Sequence, residues 1–355
     1  MSDGVDFRPP DRGGASHPLA ELTKARLREF VREPEALFWA VVFPIVMSLA
    51  LAVAFPARGT QPVRVGVAPG PQAAEVRRML SAAPGVVVRD ITSGEERAIR
   101  EGDVQLVVVP TLPPTYRFDS VRDDSRIARA VVDDVLKRAA GRTDPWTARE
   151  EALNVPGSRY VDWLIPGILG MNIMSTGMWG IGFSIAQARL RKLLKRLVAS
   201  PMRKSEYLLA QVIARLVYLV PEAGVTLAFG VFAFGMPING SYVAVLAVCV
   251  LGALSFAALG LLAASRAATI EAISGILNLS MLPMWVLSGV FFSTANFPDF
   301  LQPAIHMLPL TALNDALRAV VLEGASLAVI ANEITLLALW GVVPFLLALR
   351  LFRWQ

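Results

Sequence analysis

Apolar positions gather into long uncharged runs at six places, and a mixed polar segment separates the first run from the second. A helix needs about 20 apolar residues to cross a bilayer. Six transmembrane helices are therefore expected at 37–56, 161–186, 205–235, 241–265, 270–293 and 331–352. The third and fourth are divided at Met236-Pro237-Ile238-Asn239-Gly240, where proline and Asn-Gly supply turn chemistry. After the fifth, residues 294–330 include the moderately apolar helical run Ile305–Val321. Such helices re-enter a bilayer only where protein satisfies their backbone. At the other end, residues 1–18 are rich in Gly, Pro, Asp and Arg and read as a disordered tail. Residues 19–36 place Leu19, Leu22, Leu27, Phe30 and Val31 near helical spacing with basic residues between them. That pattern suits a helix in the membrane interface or one packed on other protein.

The polar segment, 57–160, alternates differently. Pro62–Ala68, Val86–Arg89, Val104–Val109 and Thr115–Phe118 are strand-like, while Gln72–Ala82, Ser93–Arg100 and Ser125–Ala140 have helical character. Strands alternating with helices predict a small α/β domain. The expected fold is an α-helical integral membrane protein of six spans with this domain inserted between the first two. Asp144-Pro145-Trp146 marks the return to the membrane. Asp123-Asp124 and Asp133-Asp134 read as solvated faces in preference to a cation site.

Charge sets the orientation. The chain is 54% hydrophobic and only 18% charged over 355 residues, whereas soluble chains carry about 25% charged residues. Arg8, Arg12, Lys24, Arg26, Arg28 and Arg32 precede the first span, and Arg189, Arg191, Lys192, Lys195, Arg196, Arg203 and Lys204 follow the second. Arg266, Arg350 and Arg353 fall on the same side of a six-span chain. The positive-inside rule makes that side cytoplasmic, with both termini inside and 57–160 outside.

Little supports bond-breaking chemistry. Cys249 is the single cysteine, His17 and His306 are far apart in sequence, and there is no HExxH pair and no GxxxxGK[ST] loop for nucleotide phosphates. No catalytic or metal site and no nucleic-acid partner is expected.

Two regions carry functional expectations. In the first, Leu190, Leu193, Leu194, Leu197 and Val198 follow the spacing of an amphipathic helix, with Arg189, Arg191, Lys192, Lys195 and Arg196 around it, until Ser200-Pro201 ends it. Ser205 is positioned to cap the next helix, just before Glu206. Such a helix, set between two spans, serves partner docking or contact with anionic lipid equally well. The second region lies within the spans. Glu222 follows Pro221, two helical turns from Arg215, so an internal pair through water is open to it. With Met171, Asn172, Asn278, Met281 and Trp285 it is a candidate for a translocation path. Intramembrane carboxylates are costly and face partners or cavities. Asn172 and Asn278 also read as amides gluing spans together. Gly252, Ala253, Gly260 and Gly275 read as close helix packing, and His306 and Arg318 as interface residues in preference to a proton relay.

The segment Lys195-Arg196-Leu197-Val198-Ala199-Ser200-Pro201-Met202, with Glu206-Tyr207-Leu208-Leu209, resembles the cytoplasmic loop of the ABC-2 type permeases of ATP-binding-cassette exporters. Leu164-Ile165-Pro166-Gly167 extends the resemblance upstream. Downstream, Pro283 to Phe292 is similar to the family's PxxxLSGVFFP, and His306 to Arg318 to its LPLTYxxDALR. Leu190, Lys192 and Leu193 depart from it, standing where the family often has Glu, Gly and Thr. The resemblance implies a bacterial inner-membrane permease of the branch with an extracytoplasmic domain. It further implies a homodimer of this chain, two separate ATPase subunits that bind Mg-ATP, and coupling through 187–204. The apolar path suits lipid-like or amphipathic drug-like substrates. A membrane-anchored scaffold whose outer domain binds a partner is the alternative.

Overall fold

The computed structural model describes residues 18–32, 34–54, 62–91, 94–144, 159–193, 204–267 and 269–352. The chain divides into two compact units, Met1–Ala57 with Asn154–Gln355, and Arg58–Leu153. The expectations for residues 1–17, Pro145, Trp146, Leu194–Arg203 and Arg353–Gln355, and for the Ser205 cap, lie outside the described residues and side chains.

The helical unit opens with α1 (Pro18–Arg32), which packs on α8 (Lys204–Phe234). The first expected span departs from regularity. Short α2 (Pro34–Leu37) passes through a π-helical turn, Phe38–Val42, into α3 (Phe43–Ala54). The apolar stretch Phe38–Ala54 is shorter than the other long apolar helices. Among the described residues five helices are long and apolar enough to cross a membrane by length and composition, where six were expected. They are α7 (Tyr160–Leu190), α8, α9 (Tyr242–Arg266), α10 (Ile270–Leu287) and α13 (Ala331–Leu351).

A continuous apolar core runs through α7 and α9, with Leu164, Ile165, Ile168, Met174, Ile185 and Phe256 fully buried. Small residues set the crossing. A Cβ built on Gly260 would stand 2.8 Å from Met178 O and 3.1 Å from Gly177 O, so α7 and α9 touch backbone to backbone. Gly252 is likewise pressed by Leu313. Gly275, read from the sequence as a packing glycine, faces open space in the chain, with nothing within 4 Å of an added Cβ.

The expected end of the fifth span moves inward. α10 stops at Leu287 and Gly289 takes the left-handed conformation (φ +68°) that glycine adopts freely at helix ends. The run Ile305–Val321 divides into α11 (Gln302–His306) and α12 (Pro309–Val321). Pro309 disfavours helical geometry in Leu308, which is extended. α12 is almost wholly buried and packs on α7, α9 and α13. Its end receives the Met236–Gly240 turn, where Asn239 N donates to Val321 O (2.8 Å).

In the second unit the predicted elements form one four-stranded sheet. Its strands are β1 (Val63–Val67), β2 (Val86–Arg89), β3 (Leu106–Val109) and β4 (Thr115–Phe118), ordered β2-β1-β3-β4. β1 runs parallel to β2 and β3, and β4 is antiparallel to β3. Helices α4 (Ala73–Ser81) and α6 (Asp123–Ala139) cover the face carrying Val65, Val67, Leu106 and Val108, while α5 (Glu95–Glu101) covers Val107 on the other. The aspartate pairs are engaged by bases. Asp124 meets Arg122 (2.9 Å), Asp133 meets Lys137 (2.7 Å) and Asp134 meets Arg138 (3.0 Å) and Arg142. Hydrogen bonding from Lys137 holds the Asp133 carboxyl below the usual range. Burial, then the Asp133 charge, pushes the Tyr116 hydroxyl up to about 12. Among the described residues no cluster of three or more His, Cys, Asp or Glu side chains could hold a metal ion.

Candidate functional site

A cavity of about 790 Å³ lies within the helical unit. Glu35, Trp39, Phe43 and Met47 line it from the irregular first helix. From α7 it takes a long flank, Met171 to Gln187, which spans roughly 24 Å at about 1.5 Å per residue. Gln211, Arg215, Tyr218 and Glu222 contribute from α8, and Trp285 and Phe291 complete the lining. The walls are aromatic and the polar groups sit at two levels.

At the inner level, Arg215 Nη1 donates to Glu222 Oε2 at 2.7 Å, with the two side chains only 5% and 2% exposed. The separation of seven residues puts both on one face of α8, since two turns of helix span about seven residues. The pair is direct, not bridged through water. Thr176 Oγ1 lies 2.8 Å from Asn172 O and 3.0 Å from Glu222 Oε1, and Arg215 Nη2 donates to Ile173 O (3.2 Å). A buried ion pair is sustained by further hydrogen bonds to its partners. Here α7 supplies Thr176 Oγ1 to Glu222 and Ile173 O to Arg215, whose Nε alone stays unpartnered, so the pair also fastens α8 to α7. Asn172 acts similarly toward the first helix: its Nδ2 donates to Ala40 O (2.7 Å), inside the π turn. At the second level, Ser184 Oγ donates to Gln211 Oε1 (3.2 Å), with Glu35 and Gln187 nearby on the lining.

Of the residues expected on a path, Glu222, Met171, Asn172 and Trp285 meet at this cavity. Met281 is buried in the core away from it. Asn278 is exposed on α10, and no hydrogen bond joins it to another helix among the described residues. Arg215 and Thr176 complete the inner level. Arg215 was legible as a partner of Glu222, but Thr176 gave no signal, because a threonine inside a span looks like any other.

The basic segment after α7 is arranged differently from the expected continuous helix. Residues 187–190 finish α7, Arg191 and Lys192 form a turn, and Lys192 adopts a left-handed backbone (φ 56°). That conformation costs a non-glycine residue about 1–2 kcal/mol, and it falls where the resembled family often has glycine. Arg189 turns back into its own chain. It donates to Ala264 O (3.1 Å), Ser265 O (3.3 Å) and Ala267 O at the end of α9, and lies over the Phe352 ring. Leu190, Arg191, Lys192 and Leu193 are exposed, and Glu206 is half-buried in the first turn of α8. Leu194, Lys195, Arg196, Leu197, Ser200 and Pro201 lie outside the described residues.

Arg318 is a structural clamp. Its guanidinium stacks 3.5 Å from the centre of the Trp163 ring, and it donates to Trp163 O (3.2 Å) and Gly289 O (2.5 Å). Asn314, one turn earlier, donates to Ser288 O (2.9 Å). Both residues hold the end of α10 against α12, an arrangement that sequence spacing alone did not reveal. His306 is exposed at the end of α11.

Comparison with known proteins adds an independent line. Residues 34–350 match the family described as ABC-2 family transporter protein. The probable multidrug ABC transporter permease YbhR of Escherichia coli K12 is 26% identical over 180 residues, covering 50% of this chain and 49% of that protein. The inner membrane transport permease YadH of the same strain is 26% identical over 204 residues, 56% of this chain and 75% of that one. Nodulation protein J of Bradyrhizobium diazoefficiens is 25% identical over 204 residues, 56% of this chain and 76% of its own length. The matched stretch thus spans about half the length of YbhR.

Proposed function

The chain belongs to the ABC-2 family of transporter proteins, and from that premise we propose that it is the permease subunit of an ABC exporter. The observation that carries this reading is the elongated aromatic cavity with a neutralised ion pair at its inner level. A scaffold has no use for such a cavity, and a path for apolar or amphipathic molecules does. In this proposal the protein sits in a bacterial inner membrane with six spans, α2–α3 forming the first. Both termini are cytoplasmic and Arg58–Leu153 lies outside. Two copies of the chain form the transporter, since six spans make half of one and closed two-fold pairs are the commonest assembly.

The energy comes from elsewhere. Two partner ATPase subunits bind Mg-ATP, and their closure pushes the basic segment that follows α7. Exposed Leu190 and Leu193 with Lys192, Lys195 and Arg196 form the contact, and Arg189 transmits the displacement to α9 through its carbonyl bonds. The substrate is a lipid-like or amphipathic drug-like molecule.

Charge reversal at Lys195 and Arg196 tests the coupling. In proteoliposomes holding the complex with its co-purified ATPase, Lys195→Glu with Arg196→Glu is expected to lower ATP-driven efflux about ten-fold while ATP hydrolysis persists. Unchanged efflux would remove the segment from the coupling path.

A further inference from the structure

The cavity's charges and its walls together narrow what it takes. This inference rests on the translocation reading above. Among the charged groups on the lining, Arg215 and Glu222 cancel. Glu35 is left: it lines the cavity, is exposed, and has no ion-pair partner among the described residues. Among the described residues the fixed charge on the lining is therefore one negative unit. Among the described residues an anion would find one cation there, Arg215, whose two terminal nitrogens are already bonded to Glu222 and to Ile173 O, leaving Nε unpartnered.

The walls favour the same sign. Trp39, Phe43, Trp179, Phe183, Trp285 and Phe291 all face the cavity, and Trp179 stacks on Phe183 with ring centres 4.7 Å apart. Aromatic faces carry negative quadrupoles that attract cations, and more strongly where water is excluded. Flat rings also bury large area at little entropic cost. Length matters as well, because the α7 flank runs roughly 24 Å at about 1.5 Å per residue, longer than a compact metabolite needs. We propose that this cavity binds a monocationic aromatic amphiphile, its rings held by the aromatic walls and its charge balanced by Glu35.

Two probes of one shape and opposite sign decide it. Tetraphenylphosphonium and tetraphenylborate are titrated calorimetrically into the full-length protein, alongside the variants Glu35→Gln and Trp179→Ala. Heat that survives Trp179→Ala is taken as adsorption outside the cavity. The cation is expected to bind about ten-fold more tightly than the anion in the part sensitive to Trp179→Ala, because one uncompensated carboxylate attracts the first probe and repels the second. Glu35→Gln is expected to bring the two affinities together. Equal affinities in the wild type, or a preference unmoved by Glu35→Gln, overturn the cation assignment while leaving the cavity as a binding site. If neither probe gives heat that Trp179→Ala removes, the translocation reading falls with it.

Discussion

Removing the Glu222 carboxylate is expected to destabilise the protein severely. Glu222→Ala strands Arg215, 5% exposed, with Ile173 O as its remaining oxygen partner among the bonds described above. Breaking a buried pair from one side costs about 3–5 kcal/mol, because a charge is left buried and uncompensated. For a unit of this size each kcal/mol lowers the unfolding midpoint by about 2–4 °C, so a drop on the order of 10 °C is expected. The readout is the fraction of monodisperse protein remaining after heating. The control is the double variant Arg215→Met with Glu222→Met, which replaces both charges with apolar groups and is expected to recover most of the loss. Glu222→Gln should fall between, keeping an acceptor for Thr176 but not the charge. If Glu222→Ala unfolds with the wild type, the pair does not fasten α8 to α7.

A second large effect is expected where two helices meet. Gly260→Val places a side chain where even a Cβ would stand 2.8 Å from Met178 O and 2.9 Å from Met178 Cα. The neighbours are backbone, which cannot rotate aside, so α7 and α9 must part. Overpacking a core typically costs about 1–3 kcal/mol, and backbone contact puts this case at or above the top of that range. Gly275→Ala is the contrast. No atom of the described residues lies within 4 Å of its added carbon, and alanine is the better helix former by about 1 kcal/mol. The first variant should yield little folded protein and the second a normal amount. Equal yields would contradict the close crossing.

Those two glycines also show where sequence reading stopped. Both sit in apolar runs with small neighbours, and both read as packing positions. What separates them is the partner helix, which lies far away in sequence. Local patterns fared better. The strands and helices of 57–160 were legible because period-two and period-3.6 alternation is a local property, and each predicted strand is present in the sheet. The five long apolar helices were legible from uncharged length. Arg215 and Glu222 were legible as neighbours, because seven residues on one helix return to the same face. The π turn at Phe38–Val42 was not. It is held by Asn172, whose bond to Ala40 O reaches across 132 residues of chain. The helix break at Lys192 was hidden for another reason, since a lysine there gives none of the warning that a glycine would. The cavity itself arises only from the juxtaposition of four segments and leaves no mark on any one of them.

In the proposed orientation the basic segment after α7 meets the ATPase in the cytoplasm, and Arg58–Leu153 lies on the opposite side of the membrane. Cys249 is the single cysteine and is 1% exposed, so the wild-type chain should be silent to thiol reagents. Leu193→Cys and Val121→Cys each add one reactive site, at positions 40% and 88% exposed. Treated as intact spheroplasts with a membrane-impermeant maleimide, Val121→Cys is expected to label at once and Leu193→Cys only after the membrane is opened. Labelling of Leu193→Cys from outside, with Val121→Cys protected until the membrane is opened, would contradict the proposed orientation.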